Sequence, residues 1–160
     1  MTHVPQDETL APDQKLHTED GPMGNWGNQI NVPLTATRNG NTISITGNGG
    51  ANLAVNSGAH RFVFTLTDNS GANVQFASVD TCDNTTSCPP PSGENSQQIV
   101  AVVMQNTSSP KYAAFTDNNS NLANNGPMSV SYQWNFTCDS PCTVGSFDPI
   151  IENGGRTGPS

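Results

Sequence analysis

Apolar and polar residues alternate along most of this chain, most plainly at Met128–Phe136, where Val130, Tyr132, Trp134 and Phe136 interleave with Ser129, Ser131, Gln133 and Asn135. A period of two is that of a strand with one dry and one wet face. The same rhythm runs through Ile30, Val32, Leu34 and Ala36, through Ile43 and Ile45, and through Phe62, Phe64 and Leu66. Shorter strands are expected at Leu53–Val55, Val74–Phe76, Tyr112–Thr116 and around Val144–Ile151. Ile99–Met104 is a continuous apolar run, which reads as a central strand covered on both faces. Asn39-Gly40 marks a tight hairpin with both turn residues at positive φ, and Gly47–Gly50 and Asp68–Gly71 mark further turns. With no helical period and no internal repeat, the pattern predicts an all-β fold. The expectation is a single antiparallel β-sandwich of immunoglobulin-like or jelly-roll type, with eight or nine strands.

The patterning also divides the chain. Residues 1–27 form a polar arm with three prolines and no apolar period, expected to be flexible or packed on a partner through Trp26. Residues 28–154 are the sandwich, and 155–160 a flexible tail. Thr81–Ser96 is the longest insertion, stiffened by Pro89-Pro-Pro91, which cannot join a ladder.

Composition narrows the function classes. Charged residues are 11% of the chain against a typical ~25%, so polarity comes from Asn, Thr, Ser and Gly, which suit turns and strands. The net charge is −8, and the five basic residues, Lys15, Arg38, Arg61, Lys111 and Arg156, are scattered. Nucleic-acid binding needs clustered cations, so it is excluded as an expectation. No apolar run approaches the ~20 residues of a membrane span. Met1–Asp20 lacks the basic start and apolar core of a signal peptide, whereas the Asn/Thr/Ser-rich, Lys-poor composition leans towards a secreted or cell-surface protein.

Candidate chemistry is sparse. The cysteines fall as Cys82-x5-Cys88 and Cys138-x3-Cys142. These spacings disfavour a zinc knuckle and point to two disulfides in an oxidising compartment, local pairing being the simplest of three connectivities. His60 is the only histidine between residues 28 and 154, and no nucleophile elbow or phosphate loop is present, so no catalytic residue is expected. The sequons at Asn84, Asn106, Asn118 and Asn135 are of the number expected by chance in so Asn- and Thr-rich a chain.

The sharpest chemical signal is the oxygen-rich stretch Asp117–Gly126. Calcium takes six to eight hard oxygens, often from one loop, and Asp117, Asn121, Asn124 and Asn125 are the candidate ligands. Their spacing resembles the calcium loop of PA-IL-type galactose-binding lectins over about fifteen residues. That resemblance implies a calcium ion bridging sugar hydroxyls; a carbohydrate site would also call for an exposed aromatic nearby, for which Tyr112 is the candidate. Asp80, Asp83, Asp139 and Asp148 are the carboxylates that folding could add. Separately, Phe115-Thr-Asp-Asn-Asn, the Ser129–Phe136 strand and Phe147-Asp-Pro-Ile-Ile-Glu-Asn-Gly154 resemble the bacterial DP-EP family of small all-β proteins, chiefly through Asp148, Pro149, Ile151 and Asn153. The likeness covers roughly the last forty residues and implies a fold without a mechanism. On its own terms, Pro149 marks an edge strand or the start of one, and the segment should cap the sandwich. Asp148 and Glu152 would stand ~13 Å apart in an extended chain, too far to share one bond as acid and base.

The function expected from sequence is a non-catalytic binding or interaction module with a protein or carbohydrate partner, without membrane insertion, and able to pair subunits through the arm. The alternative is a calcium-dependent carbohydrate-binding domain.

Overall fold

The computed structural model describes residues 29–47, 53–55, 58–119 and 127–154. They contain no helix. Ten strands follow one another as β1 (Gln29–Asn39), β2 (Thr42–Gly47), β3 (Leu53–Val55), β4 (His60–Asp68), β5 (Gln75–Asp83), β6 (Ile99–Gln105), β7 (Lys111–Asp117), β8 (Met128–Thr137), β9 (Thr143–Val144) and β10 (Ile150–Asn153). A six-stranded sheet, ordered β6-β7-β4-β1-β2-β9, faces a four-stranded sheet ordered β3-β10-β8-β5. This is the all-β sandwich that the alternation predicts, the tenth strand being the two-residue β9.

Pairing is mixed, which amends the antiparallel expectation. β1–β4, β2–β9 and β3–β10 run parallel. The cause is topological: after the β1–β2 hairpin the chain visits the small sheet as β3. It then re-enters the large sheet beside β1, at the end where β1 began, with Gln29 opposite Arg61. The hairpin turn also shifts by one residue. Asn39 pairs with Thr42, so Gly40 and Asn41 form the turn, and Gly40 takes the positive φ of +65°. Glycine at the first of two turn positions belongs to the primed turns that match strand twist.

The alternating apolar residues supply the interior. Val32, Leu34 and Ala36 on β1, Phe62, Phe64 and Leu66 on β4, and Val130, Tyr132 and Trp134 on β8 are all essentially inaccessible. At the centre lies the Phe64 ring, 5.2 Å from Phe115, 5.6 Å from Tyr132 and 5.4 Å from Trp134. The edge-on approach of Tyr132 and Trp134 is the geometry that aromatic quadrupoles favour. Gly47 is required by this packing: a Cβ there would collide with Leu34 Cδ2 and press on Phe147.

The C-terminal motif has a different role from the expected cap. Pro149 directly precedes β10, as its missing N–H demands, but β10 is an interior strand between β8 and β3. Ile151 points into the core, whereas Ile150 lies on the outer face with Ser131 and Cys82. All three are buried, as is Pro90 of the β5–β6 excursion. The hydrogen bonds Ser96 N–H to Thr81 Oγ1 (2.9 Å) and Gln97 N–H to Asp83 Oδ2 (2.9 Å) tie the end of that excursion to β5.

One disulfide forms, Cys138–Cys142, closing the turn after β8. The expected Cys82–Cys88 bond is absent. Cys82 is buried on the β5 outer face, while Cys88 is exposed on the excursion. Burial and the charges of Glu94 and Asp83 push the Cys82 thiol up; partial burial and Asp148 do the same to Cys88. Neither is an activated nucleophile.

The core makes a paired prediction. Phe64→Ala should cost about 3–5 kcal/mol of unfolding free energy, because a central ring leaves a cavity. Tyr132 Oη is buried without a partner among the described residues. Tyr132→Phe, which deletes only that oxygen, should therefore be neutral or stabilising by up to ~1 kcal/mol. Urea unfolding of the non-reduced protein checks both; a loss above ~2 kcal/mol for Tyr132→Phe would reveal a hydroxyl partner.

Candidate functional site

Asp117 ends β7 and points inward, on the same face as Ala113 and Phe115. A carboxylate with no solvent exposure needs partners. Its Oδ1 accepts from the Asn119 backbone N–H (2.9 Å) and from Asn153 Nδ2 (3.0 Å). Asn153 belongs to β10, so this last bond joins the two sheets at one end of the sandwich. Asn119, itself buried at φ +47°, donates through Nδ2 to Gly58 O (3.1 Å). His60 stands opposite Asp117 in the ladder and lies against the same carbonyl, its Nδ1–H donating to Gly58 O (2.8 Å).

Two oxygens of this clasp remain. Asp117 Oδ2 and Asn153 Oδ1 are buried, and neither has a hydrogen-bond partner among the described residues. Burial pushes the Asp117 carboxyl above its ordinary 3.8, and Asp83 adds to the rise; the bonds from Asn119 and Asn153 and the charge of His60 oppose it. Of the expected calcium ligands, Asp117 sits at this clasp, whereas Asn121, Asn124 and Asn125 lie outside the described residues. Of the four additional carboxylates, Asp83 is the one that acts on Asp117; Asp80 instead accepts from Asn135 on the outer face (2.8 Å). Tyr112, half-buried, stands at the opposite end of β7, about 17 Å along the strand, and cannot be the aromatic of a site at Asp117. Among the described residues no cluster of three His, Cys, Asp or Glu side chains could hold a metal ion.

A second feature lies at the side of the molecule. Ile99–Met104 is an edge strand, which overturns the expectation of a central one. Among the described residues β6 pairs with β7 alone, and Val100, Val102, Val103 and Met104 are each 38–41% exposed. A register shift between Val100 and Val103 carries Ala101 at φ +52°, a costly conformation for a residue with a Cβ. Arg61 supports it: from β4 its Nη1 reaches Thr116 Oγ1 (2.9 Å) and Ala101 O (3.3 Å). Burial lowers the Arg61 pKa, yet a guanidinium keeps its charge.

The other edge on this side, β5, is blocked. Asn106 pairs with Phe76 as a strand would, its Oδ1 accepting from Phe76 N–H and its Nδ2 donating to Phe76 O, both at 2.9 Å. A bulge follows between Phe76 and Ser78, and Asp80 and Asp83 line the strand. Asn106, Asn153 and Arg61 are the residues that sequence reasoning passed over. Asn153 stood within the C-terminal motif, but nothing in one dimension ties it to Asp117, 36 positions away.

No family model matches this chain, and no curated protein matches it. Among the described residues no helix is long and apolar enough to cross a membrane.

The clasp yields a pH prediction for metal-free protein. With its folded pKa raised, Asp117 contributes stability that is complete below the unfolded value of 3.8 and is lost as pH rises through the folded value. Asp117→Asn removes this term, because an amide carries no charge to bury. The variant should be at least as stable as wild type at neutral pH, and should lack the decline above 3.8 that Asp117 adds. Denaturant midpoints across the acid range measure the difference, and parallel curves would refute the protonation argument.

Proposed function

We propose that this chain is a non-catalytic interaction domain that associates through the open edge of β6, with a second copy as the partner. The observation that carries this reading is the exposed, uncharged apolar edge. A long apolar edge strand is a template for further pairing, and proteins that avoid such pairing place charge, proline or a bulge there, of which β6 carries the bulge alone. Asn95–Pro110 contains no charged residue in a chain of net charge −8, so two copies can approach here without opposing like charges along the strand. Antiparallel pairing about a two-fold axis sets apolar residues against apolar ones, as an isologous interface requires. Four half-covered side chains fall well short of the ~1,600 Å² of a standard interface. The association is therefore weak and concentration-dependent.

Sedimentation velocity over a wide concentration range tests this. Wild type should show a reversible monomer–dimer equilibrium, and Val102→Lys, a change at an exposed position, should be monomeric at every concentration. A wild type that stays monomeric at the highest attainable concentration overturns the reading.

A second reading, calcium-dependent carbohydrate binding, is favoured by the two buried oxygens of the Asp117–Asn153 clasp that have no hydrogen-bond partner among the described residues, since carboxylate and amide oxygens are the kind calcium takes. Thermal unfolding in calcium chloride against EDTA separates the cases. Calcium at 100 times its dissociation constant stabilises by about 2.7 kcal/mol, a rise of roughly 5–10 °C for a domain of this size. That rise should vanish in Asp117→Ala. Identical melting in calcium and EDTA removes the calcium site.

A further inference from the structure

Beyond Val144 the chain stops running beside β2. Parallel pairing covers Thr42–Thr143 and Ile43–Val144, and its last hydrogen bond is Gly145 N–H to Ile43 O at 2.9 Å. The chain then crosses to the small sheet, where Trp134 N–H donates to Phe147 O (2.8 Å) and Phe147 N–H to Trp134 O (3.1 Å). Ile45–Gly47 is left with β1 on one side and, among the described residues, no strand on the other. Alternate residues of a strand direct their N–H and C=O groups to the same edge. Ile43 serves β9, so Ile45 and Gly47 direct theirs towards the side that β9 has vacated.

Between this edge and the departing segment lies a cleft of about 480 Å³, within the range of about 300–1,000 Å³ typical of ligand sites. Ile45, Phe147 and Pro149 form its apolar part, Thr46 and Ser146 line it with hydroxyls, and Asp148 is the charged residue of its lining. Asp148 is half-buried, so its charge is only partly screened.

We propose that this cleft binds an extended peptide segment carrying a lysine or arginine. The segment's backbone continues the sheet beside Ile45–Gly47, and its cation meets Asp148. Each part of the cleft answers to a part of such a ligand. The vacated edge offers the main-chain groups that strand addition uses for affinity. The apolar wall suits the aliphatic stem of a long basic side chain, and the carboxylate suits its head. The net charge of −8 favours approach of a basic segment over an acidic one. This site is separate from β6 and does not depend on self-association.

Amide-resolved NMR titration tests the proposal with three probes, acetyl-Val-Lys-Val-amide, acetyl-Val-Glu-Val-amide and maltotriose, on wild type and Asp148→Asn. The lysine peptide should shift the amides of Ile45, Gly47, Gly145 and Ser146 with saturation. The glutamate peptide should bind about threefold or more weakly, and Asp148→Asn should erase that difference while keeping the dispersed spectrum of the fold. No saturable shift at these amides, or equal affinity for the two peptides in wild type, overturns the proposal. Saturation by maltotriose in place of the lysine peptide overturns it in favour of a saccharide site.

Discussion

The two sheets are held apart and together by one layer of rings. Phe62, Phe64 and Phe115 come from the large sheet, and Tyr132, Trp134 and Phe76 from the small one, with neighbouring centroids 5–6 Å apart. Sheets packed face to face stand about 10 Å apart, and large aromatic side chains fill that depth with few atoms per strand. This explains how a chain with only 32% hydrophobic residues builds a closed interior. The rest of the surface is free to be Asn, Thr and Ser, whose hydroxyls and amides cost little in water. A small, ring-filled core also stops abruptly at its borders, and each chemical feature of the molecule sits at one of them.

At one end the border is polar. Where β7 and β10 run past the last rings, Asp117 and Asn153 meet across the gap instead of two apolar side chains. The join is directional, so it fixes the sheets relative to one another, but it leaves two oxygens without a partner among the described residues. At the sides the border is a pair of unlike edges. Asn106 mimics a strand against Phe76, and a bulge and two acids complete the protection of β5. β6 lacks the acids and carries only a bulge, held open by Arg61. The positive φ of Ala101 costs of order 1–3 kcal/mol, which the buried guanidinium offsets by satisfying the turned carbonyl.

What the sequence could reveal depended on how local each cause was. Alternation is a property of neighbours, so the inward residues of β1, β4 and β8 were legible one by one. Pairing partners are not local. Ile99–Met104 reads as a central strand covered on both faces because nothing in its own sequence tells whether a second neighbour exists. The Cys82–Cys88 spacing suggests a bridge because it does not disclose that Cys82 is buried while Cys88 is exposed. Parallel pairing of β1 with β4 follows from a detour through the other sheet, invisible to any window of a few residues. The loop from Asp117 was legible as an oxygen-rich turn. Its union with Asn153 was not, since a contact across 36 positions leaves no periodic trace.

The inequality of the two edges is the central claim, and native-state hydrogen exchange read at single amides in dilute solution tests it most directly. The Phe76 amide, held by Asn106, should exchange as slowly as the paired amides of β4. The β6 amides that do not bond to β7 should exchange faster than the paired amides of β7, β4 and β1. A Phe76 amide exchanging like a loop, or uniform protection along β6 in the monomer, would contradict the assignment of one closed edge and one open edge.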